Sequence, residues 1–138
     1  MADIIKILDA TALALHSMVH LAINPDEQLT TAGIAEVFEA SKHHLAKVHQ
    51  RLAKAGLIIS QRGPTGGVGL AKDPEGITLL EIYEALDGTL SNQDCLFGHP
   101  VCDRQYCVFG DLITNVHDQI DNHFTTTTLA DLIEKEKA

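Results

Sequence analysis

Apolar residues recur three and four apart through most of this chain and change to short unbroken runs in one place only. From Ile4 to Ala22 the positions Ile4, Ile5, Leu8, Leu15, Met18, Val19 and Ala22 keep helical spacing, and Asn24-Pro25-Asp26-Glu27 ends that helix as a loop. Thr30 or Thr31 then caps a short helix, GIAEVFEA, with Ile34, Ala35 and Phe38 turned inward. Ser41 is a suitable N-cap for a third helix, Lys42 to about Ala55, with Leu45, Val48 and Leu52 as its buried stripe and Gly56 at its end. The period then drops to that of a strand. Leu57–Gln61 and Val68–Ala71 read as the arms of a hairpin, joined by the tip Arg62-Gly63-Pro64-Thr65-Gly66-Gly67.

Helical spacing returns after a turn at Pro74-Glu75-Gly76. Thr78 and Glu81 predict a capping box, Ile77 a staple onto Ile82, and the helix runs to about Leu86. Residues 91–107, SNQDCLFGHPVCDRQYC, read as a loop broken by Gly98 and Pro100. From Cys107 to about Phe124 one stripe holds Phe109, Leu112, Ile113, Val116, Ile120 and Phe124, with Asp111, Asp118 and Asp121 outside it. Periodicity alone allows that long helix to pack on its own domain or to pair with its copy in a second subunit. Thr128 to Asp131 caps a short last helix.

Two short helices joined by a tight link, the second of them basic on its outer face, and then a hairpin predict a mainly α fold with a small β-hairpin wing, a winged helix-turn-helix followed by a long C-terminal helix. The expected division is 1–90 for the winged unit, 91–107 for the cysteine loop and 108–138 for the long helix and tail.

Charge sharpens this picture. The chain has 138 residues and a formal net charge of -9, yet residues 42–72 hold Lys42, Lys47, Arg51, Lys54, Arg62 and Lys72 and no acid. All nineteen Asp and Glu lie elsewhere. A basic island on an acidic body suits a polyanion-binding face, although a solvated basic helix face is the commoner origin of such a run. Ser41, Lys42, His43, His44 and Lys47, with Gln50 and Arg51 further along, would face bases and phosphates, and Arg62, Gly63 and Thr65 on the wing tip would suit a narrow minor groove. The glycines of the tip lack the Gly-Lys-Ser/Thr ending of a nucleotide-binding loop.

Three cysteines, Cys95, Cys102 and Cys107, fall within thirteen residues. An odd number in an expected reducing compartment favours metal or redox chemistry over disulfides. Soft thiolates suit an iron–sulfur cluster, bare redox or structural thiols come next, and zinc is disfavoured because the tight Cys-x-x-Cys knuckle is missing. His16 and His20 stand one turn apart, a spacing that can bind metal but more often belongs to partly buried histidines. No nucleophile has a base beside it, so no enzyme is expected. No apolar run is long enough to span a membrane and no signal peptide is evident, which leads to the expectation of a cytoplasmic protein.

The run Leu57-Ile-Ile-Ser-Gln-Arg-Gly-Pro-Thr-Gly-Gly-Val-Gly-Leu-Ala-Lys resembles the wing signature of the IscR/NsrR regulators, the Rrf-two superfamily. Ser-Lys-His-His-Leu-Ala-Lys-Val in the third helix, the three-cysteine loop and Thr-Leu-Ala-Asp-Leu at 128–132 are similar as well. The resemblance implies a homodimeric transcription factor on a palindromic DNA operator, dimerised through the helix 107–124. It also implies a 2Fe–2S or 4Fe–4S cluster on Cys95, Cys102 and Cys107, or, in cluster-free members, a thiol- or metabolite-responsive repressor. A small metal- or thiol-using protein that does not bind DNA is a more remote alternative. The cysteines are separated by six and four residues, where familiar cluster binders often have five between the first two. Position 110 is Gly where one subgroup has a His ligand. The fourth ligand stays open among Asp9 or His16 of the partner subunit, His99, Asp103, His117, His123 and a small molecule.

Overall fold

The computed structural model describes residues 9–61, 66–90 and 107–137. Helices α1 (Asp9–Ile23), α2 (Thr31–Val37) and α3 (Lys42–Lys54) lead into strands β1 (Ile58–Gln61) and β2 (Gly67–Leu70). After a 3-10 turn at Pro74–Gly76 come α4 (Leu79–Asp87), α5 (Leu112–Thr126) and α6 (Leu129–Lys137). The architecture is the expected mainly helical one with a two-stranded antiparallel hairpin, paired from Ile58 with Leu70 to Gln61 with Gly67. Leu8 and the residues before it, the wing tip 62–65 with Arg62, Gly63 and Thr65, and the loop residues 91–106 with Cys95 and Cys102 lie outside the described residues.

Local chemistry explains where the helices start. Thr30 accepts the Gly33 amide at 3.0 Å and Ser41 the His44 amide at 3.3 Å. Each side-chain oxygen thereby satisfies one of the amides that a first helical turn leaves unpaired. Thr128 and Asp131 close a full capping box, with the Thr128 amide on Asp131 Oδ2 at 2.9 Å and the Asp131 amide on Thr128 Oγ1 at 3.2 Å. At α4 only half of the expected box forms. Thr78 accepts the Glu81 amide at 3.2 Å, but the Glu81 carboxylate turns to Lys72 Nζ at 3.4 Å.

The helix ends are instructive as a pair. After α3, Gly56 takes a φ of 79°, with its amide on Ala53 and the Leu57 amide on the Leu52 carbonyl, both at 3.0 Å. This is the Schellman ending that a glycine favours. The same ending closes α2, where the Ala40 amide meets the Ala35 carbonyl at 2.8 Å and the Glu39 amide meets Glu36 at 3.2 Å. Here the left-handed residue is Glu39, with a φ of 53°. The sequence pattern carries this helix through Ala40; the left-handed step at Glu39 stops it at Val37. The last long helix also starts later than its pattern suggests. Cys107 to Gly110 form turns, Gly110 has a φ of 58°, and α5 begins at Leu112 rather than Cys107.

One core joins these elements. Met18, Ile34, Leu45, Leu52, Ile77, Ile82 and Leu129 are fully buried, and Phe124 packs edge-on to Tyr83 at 5.8 Å. On α1 the buried side is Thr11, Ala14, Ser17, Met18, Leu21 and Ala22, while Leu15 and Val19 are only half buried. Thr11 also donates to Asp87 Oδ2 at 2.6 Å, tying α1 to the end of α4. α6 returns beside α4, because the Leu79 amide bonds the Thr127 carbonyl and the Leu129 amide bonds the Ile77 carbonyl, each at 3.0 Å.

The wing is fastened by a contact that no pattern in the sequence announces. The Val68 amide donates to the Leu29 carbonyl at 2.7 Å, so the residue before the α2 cap lies against β2 as a third short strand would. A Cβ on Gly67 would stand 2.4 Å from that carbonyl oxygen, so only glycine allows the approach. The hairpin is thereby held against the segment that opens α2.

His49 belongs to this packing and not to the basic face. It is buried between α2 and α3, its Nδ1 paired with Thr31 Oγ1 at 3.0 Å and its Nε2 without a partner. Burial pushes its pKa below the ordinary 6.5, since the imidazolium would lose its hydration. The unfolded chain therefore binds this proton more readily than the folded one. Stability contributed by neutral His49 is present above pH 6.5 and is lost as pH falls through 6.5 toward the lower folded value. Urea midpoints measured from pH 8 to pH 5 should decline below this point in the native chain and decline less in His49→Gln. At the α2 ending, Glu39→Gly should raise stability by about 0.5–1 kcal/mol, because a left-handed L residue costs about 1–2 kcal/mol and glycine returns part of that gain as chain entropy. Urea unfolding of the two proteins at pH 7.5 checks it.

Candidate nucleic-acid interface and sensor segment

Burial of Leu45, Val48, His49 and Leu52 fixes which side of α3 faces water. At 100° per residue, His43, Lys47, Gln50 and Lys54 fall on the opposite side, and all four are exposed. Ser41, Lys42 and His44 are exposed beside them in the first turn. That turn carries no acid, so the positive end of the helix dipole adds to the lysines instead of being cancelled. The result is a narrow stripe of polar and cationic side chains, a histidine followed by two lysines with an amide between them, suited to one face of a duplex groove.

Two residues of the basic island are occupied elsewhere. Arg51 Nη2 donates to the Leu86 carbonyl at 2.5 Å. Leu86 lies in the last turn of α4, where carbonyls have no partner within the helix, so Arg51 caps α4 from α3. Lys72 meets Glu81, with both side chains more than two-fifths exposed. An exposed pair of this kind adds little stability, but the Glu81 carboxylate offsets the positive charge of Lys72. Lys54, by contrast, stands fully on the stripe. It is left out when only the N-terminal half of a recognition helix is considered, and the buried stripe is the signal that finds it.

Among the expected cluster ligands, Cys107 is a free, exposed thiol at the start of the turns before α5. An accessible thiol ahead of a helix, with two further soft donors in the twelve residues preceding it, fits an iron–sulfur centre by donor chemistry. His117 is buried on α5, while His123 and Asp9 are exposed. His16 and His20 both stand edge-on to Phe38, at 6.0 and 5.7 Å, and border an open groove of about 450 Å³ beside α1 whose other walls are Leu15, Val19, Ile23, Leu79 and Leu132. His16 Nδ1 pairs with the Ala12 carbonyl at 2.7 Å. No three His, Cys, Asp or Glu side chains among the described residues gather as a metal site.

A second exposed apolar edge runs along the start of α5. Ile113, His117, Ile120 and Phe124 turn toward the core, whereas Val108 is 94% exposed, Leu112 54% and Phe109 43%. Side chains of this size are seldom left in water as a group unless a partner covers them.

Comparison with known proteins agrees with the fold. The family model described as Rrf2, iron-dependent transcriptional regulator, matches residues 7–135. A protein of Aquifex aeolicus named for the HTH-type transcriptional regulators is 33% identical over 132 residues, covering 94% of this chain and 92% of its own length. The HTH-type transcriptional regulator NsrR of Shouchella clausii is 34% identical over 86 residues, 62% of this chain and 58% of that protein. In three dimensions the chain is similar to CymR, the global cysteine regulator of B. subtilis, with a TM-score of 0.77 and 27% identity over 94% of this chain and 97% of that one. IscR of T. potens superposes with a TM-score of 0.72 and 26% identity over 95% of this chain and 88% of that one. No helix among the described residues is long and apolar enough to cross a membrane. A family match over nearly the whole chain, met by the same wing and helix order in solved relatives, makes this protein a member of the Rrf2 family of transcriptional regulators.

Proposed function

We propose that the protein is a homodimeric, redox-responsive repressor that reads a palindromic DNA operator with α3 and the wing. The observation that carries the reading is the α3 stripe of His43, Lys47, Gln50 and Lys54, exposed on a helix whose opposite side is locked into the core. Lysines supply affinity by displacing counterions from phosphates. Gln50 can pair bidentately with adenine, and Lys47 or His43 can donate to guanine acceptors, which supplies sequence preference. Arg62, Gly63 and Thr65 of the wing tip extend the contact into the neighbouring minor groove. Dimerisation through α5 and the exposed Val108, Phe109 and Leu112 at and just before its start covers those side chains and sets the spacing of the two recognition helices.

Cys95, Cys102 and Cys107 form the sensor in this reading. An iron–sulfur cluster held by them supplies one-electron redox chemistry and sensitivity to oxidants or nitric oxide. The protein's own contribution is mechanical. Cys107 stands five residues before α5, so any change in how its thiol is held is passed to the start of the dimer helix. Half-site spacing is a fixed demand of the duplex, and a small shift there changes affinity. A second reading has its own support. The similarity to CymR, a cysteine regulator, favours a cluster-free protein in which the same thiols or a bound metabolite carry the signal.

Three phosphate contacts per protomer, about six per dimer, make operator affinity fall about 10³-fold between 50 and 200 mM salt. Lys47→Ala should flatten the log–log salt slope by about 2, because each dimer loses two contacts, whereas Lys72→Ala should leave it nearly unchanged. Fluorescence anisotropy with promoter DNA measures both. For the sensor, anaerobically purified protein should be coloured and hold iron and sulfide, with both lost in Cys107→Ser. A colourless, iron-free protein that still binds its operator selects the thiol or metabolite reading instead.

A further inference from the structure

The cysteine segment has two ends. One reaches α5 through Cys107, and the other follows Leu90, a short step beyond the last residue of α4, Asp87. The end of α4 is held from two sides. Arg51 Nη2, from α3, donates to the Leu86 carbonyl at 2.5 Å, and Thr11 Oγ1, from α1, donates to Asp87 Oδ2 at 2.6 Å. Carbonyls in a last helical turn have no partner within the helix, and a guanidinium donor makes a charge-assisted bond to one of them, stronger than a neutral one. Leu86 is itself only 4% exposed, so the acceptor belongs to a residue anchored in the core. Only Gly88 and Thr89 separate this pair of bonds from Leu90, which puts them at the root of the segment.

We propose that Arg51 is a positioning residue that couples the cysteine segment to α3 within a single chain. Arg51 is exposed, one turn after Lys47 and next to Gln50, and it is followed by Leu52, which is fully buried. Its Nη2 is engaged by Leu86, while the other N–H groups of the guanidinium fork can meet a phosphate at the same time. One side chain thus touches both the root of the segment and the helix that reads DNA. A change in how the segment is held disturbs the end of α4, the Leu86 carbonyl is displaced from Arg51, and the C-terminal half of α3 is held less firmly. This route leaves the segment at its first residue rather than at Cys107, and it needs no second subunit. It rests on the reading of the cysteines as the sensor and gives that reading a path to the recognition helix besides the dimer helix.

Every cysteine of the chain lies in this segment, so alkylation with N-ethylmaleimide disturbs it selectively. Hydrogen–deuterium exchange of the full chain is read by mass spectrometry before and after alkylation. Alkylation should quicken exchange from Leu86 to Leu90 and, by at least about fivefold, from Arg51 to Ala55. In Arg51→Met, which keeps an apolar stem but no donor, it should still quicken the end of α4 and leave α3 as it was before treatment. Lys54→Met removes a charge from the same helix without touching the Leu86 bond, and should transmit as the native chain does. Unchanged circular dichroism confirms that both variants fold. The proposal is overturned if α3 of the native chain is indifferent to alkylation, if Arg51→Met transmits like the native chain, or if Lys54→Met loses transmission. The readout uses neither DNA nor a cluster, so failure of the operator or cluster reading is seen separately, in the anisotropy and iron assays.

Discussion

Everything displayed by α3 depends on the burial of Leu45, Val48 and Leu52. α3 packs against α1, α2, α4 and β1, and loss of these buried side chains would leave cavities costing about 2–5 kcal/mol for each leucine reduced to alanine. Because that face is fixed, the opposite face is fixed too, and a helix with no acid in its first turn is presented outward in one rotational setting. The remaining devices refine the same placement. Ser41 fixes where α3 starts, Gly56 where it stops, and Arg51 fastens its C-terminal half to the end of α4. The hairpin is positioned through Val68 and Leu29, which makes the wing an extension of the segment that opens the motif rather than a loose appendage.

Features governed by neighbours in sequence were legible before any coordinates. The caps at Thr30, Ser41, Thr78 and Thr128, the C-cap at Gly56 and the hairpin arms all follow from side chains within a few residues of the backbone groups they satisfy. Features set by distant partners were not. Glu81 pairs with Lys72 in place of completing its capping box, Arg51, though exposed, gives its Nη2 to the Leu86 carbonyl, and His49 is a core residue despite its place in a basic run. Glu39 is illegible for another reason. Its left-handed conformation runs against its own preference and is imposed by the tight return from α2 to α3. The basic island of residues 42–72 thus contains fewer free cations on its surface than its composition suggests, and those that remain on α3 are better aligned.

In the proposed function, that alignment is what lets an acidic chain meet a polyanion. A net charge of -9 repels DNA at long range, so productive approach requires the one face where the sign is reversed. The exposed apolar edge of α5 bears on the same problem, because pairing two chains doubles the number of such faces and sets the distance between them. Cys107, immediately ahead of that edge, places a soft donor beside the proposed dimer helix.

Lysine footprinting on promoter DNA tests the central claim most directly, since it reports which cations of the basic island the duplex covers. The protein is acetylated with and without DNA, and the modification at Lys42, Lys47, Lys54 and Lys72 is read by mass spectrometry. Strong protection of Lys47 and Lys54 with little change at Lys72 is what duplex binding along the α3 stripe requires. Protection of Lys72 with Lys47 and Lys54 left reactive would contradict it.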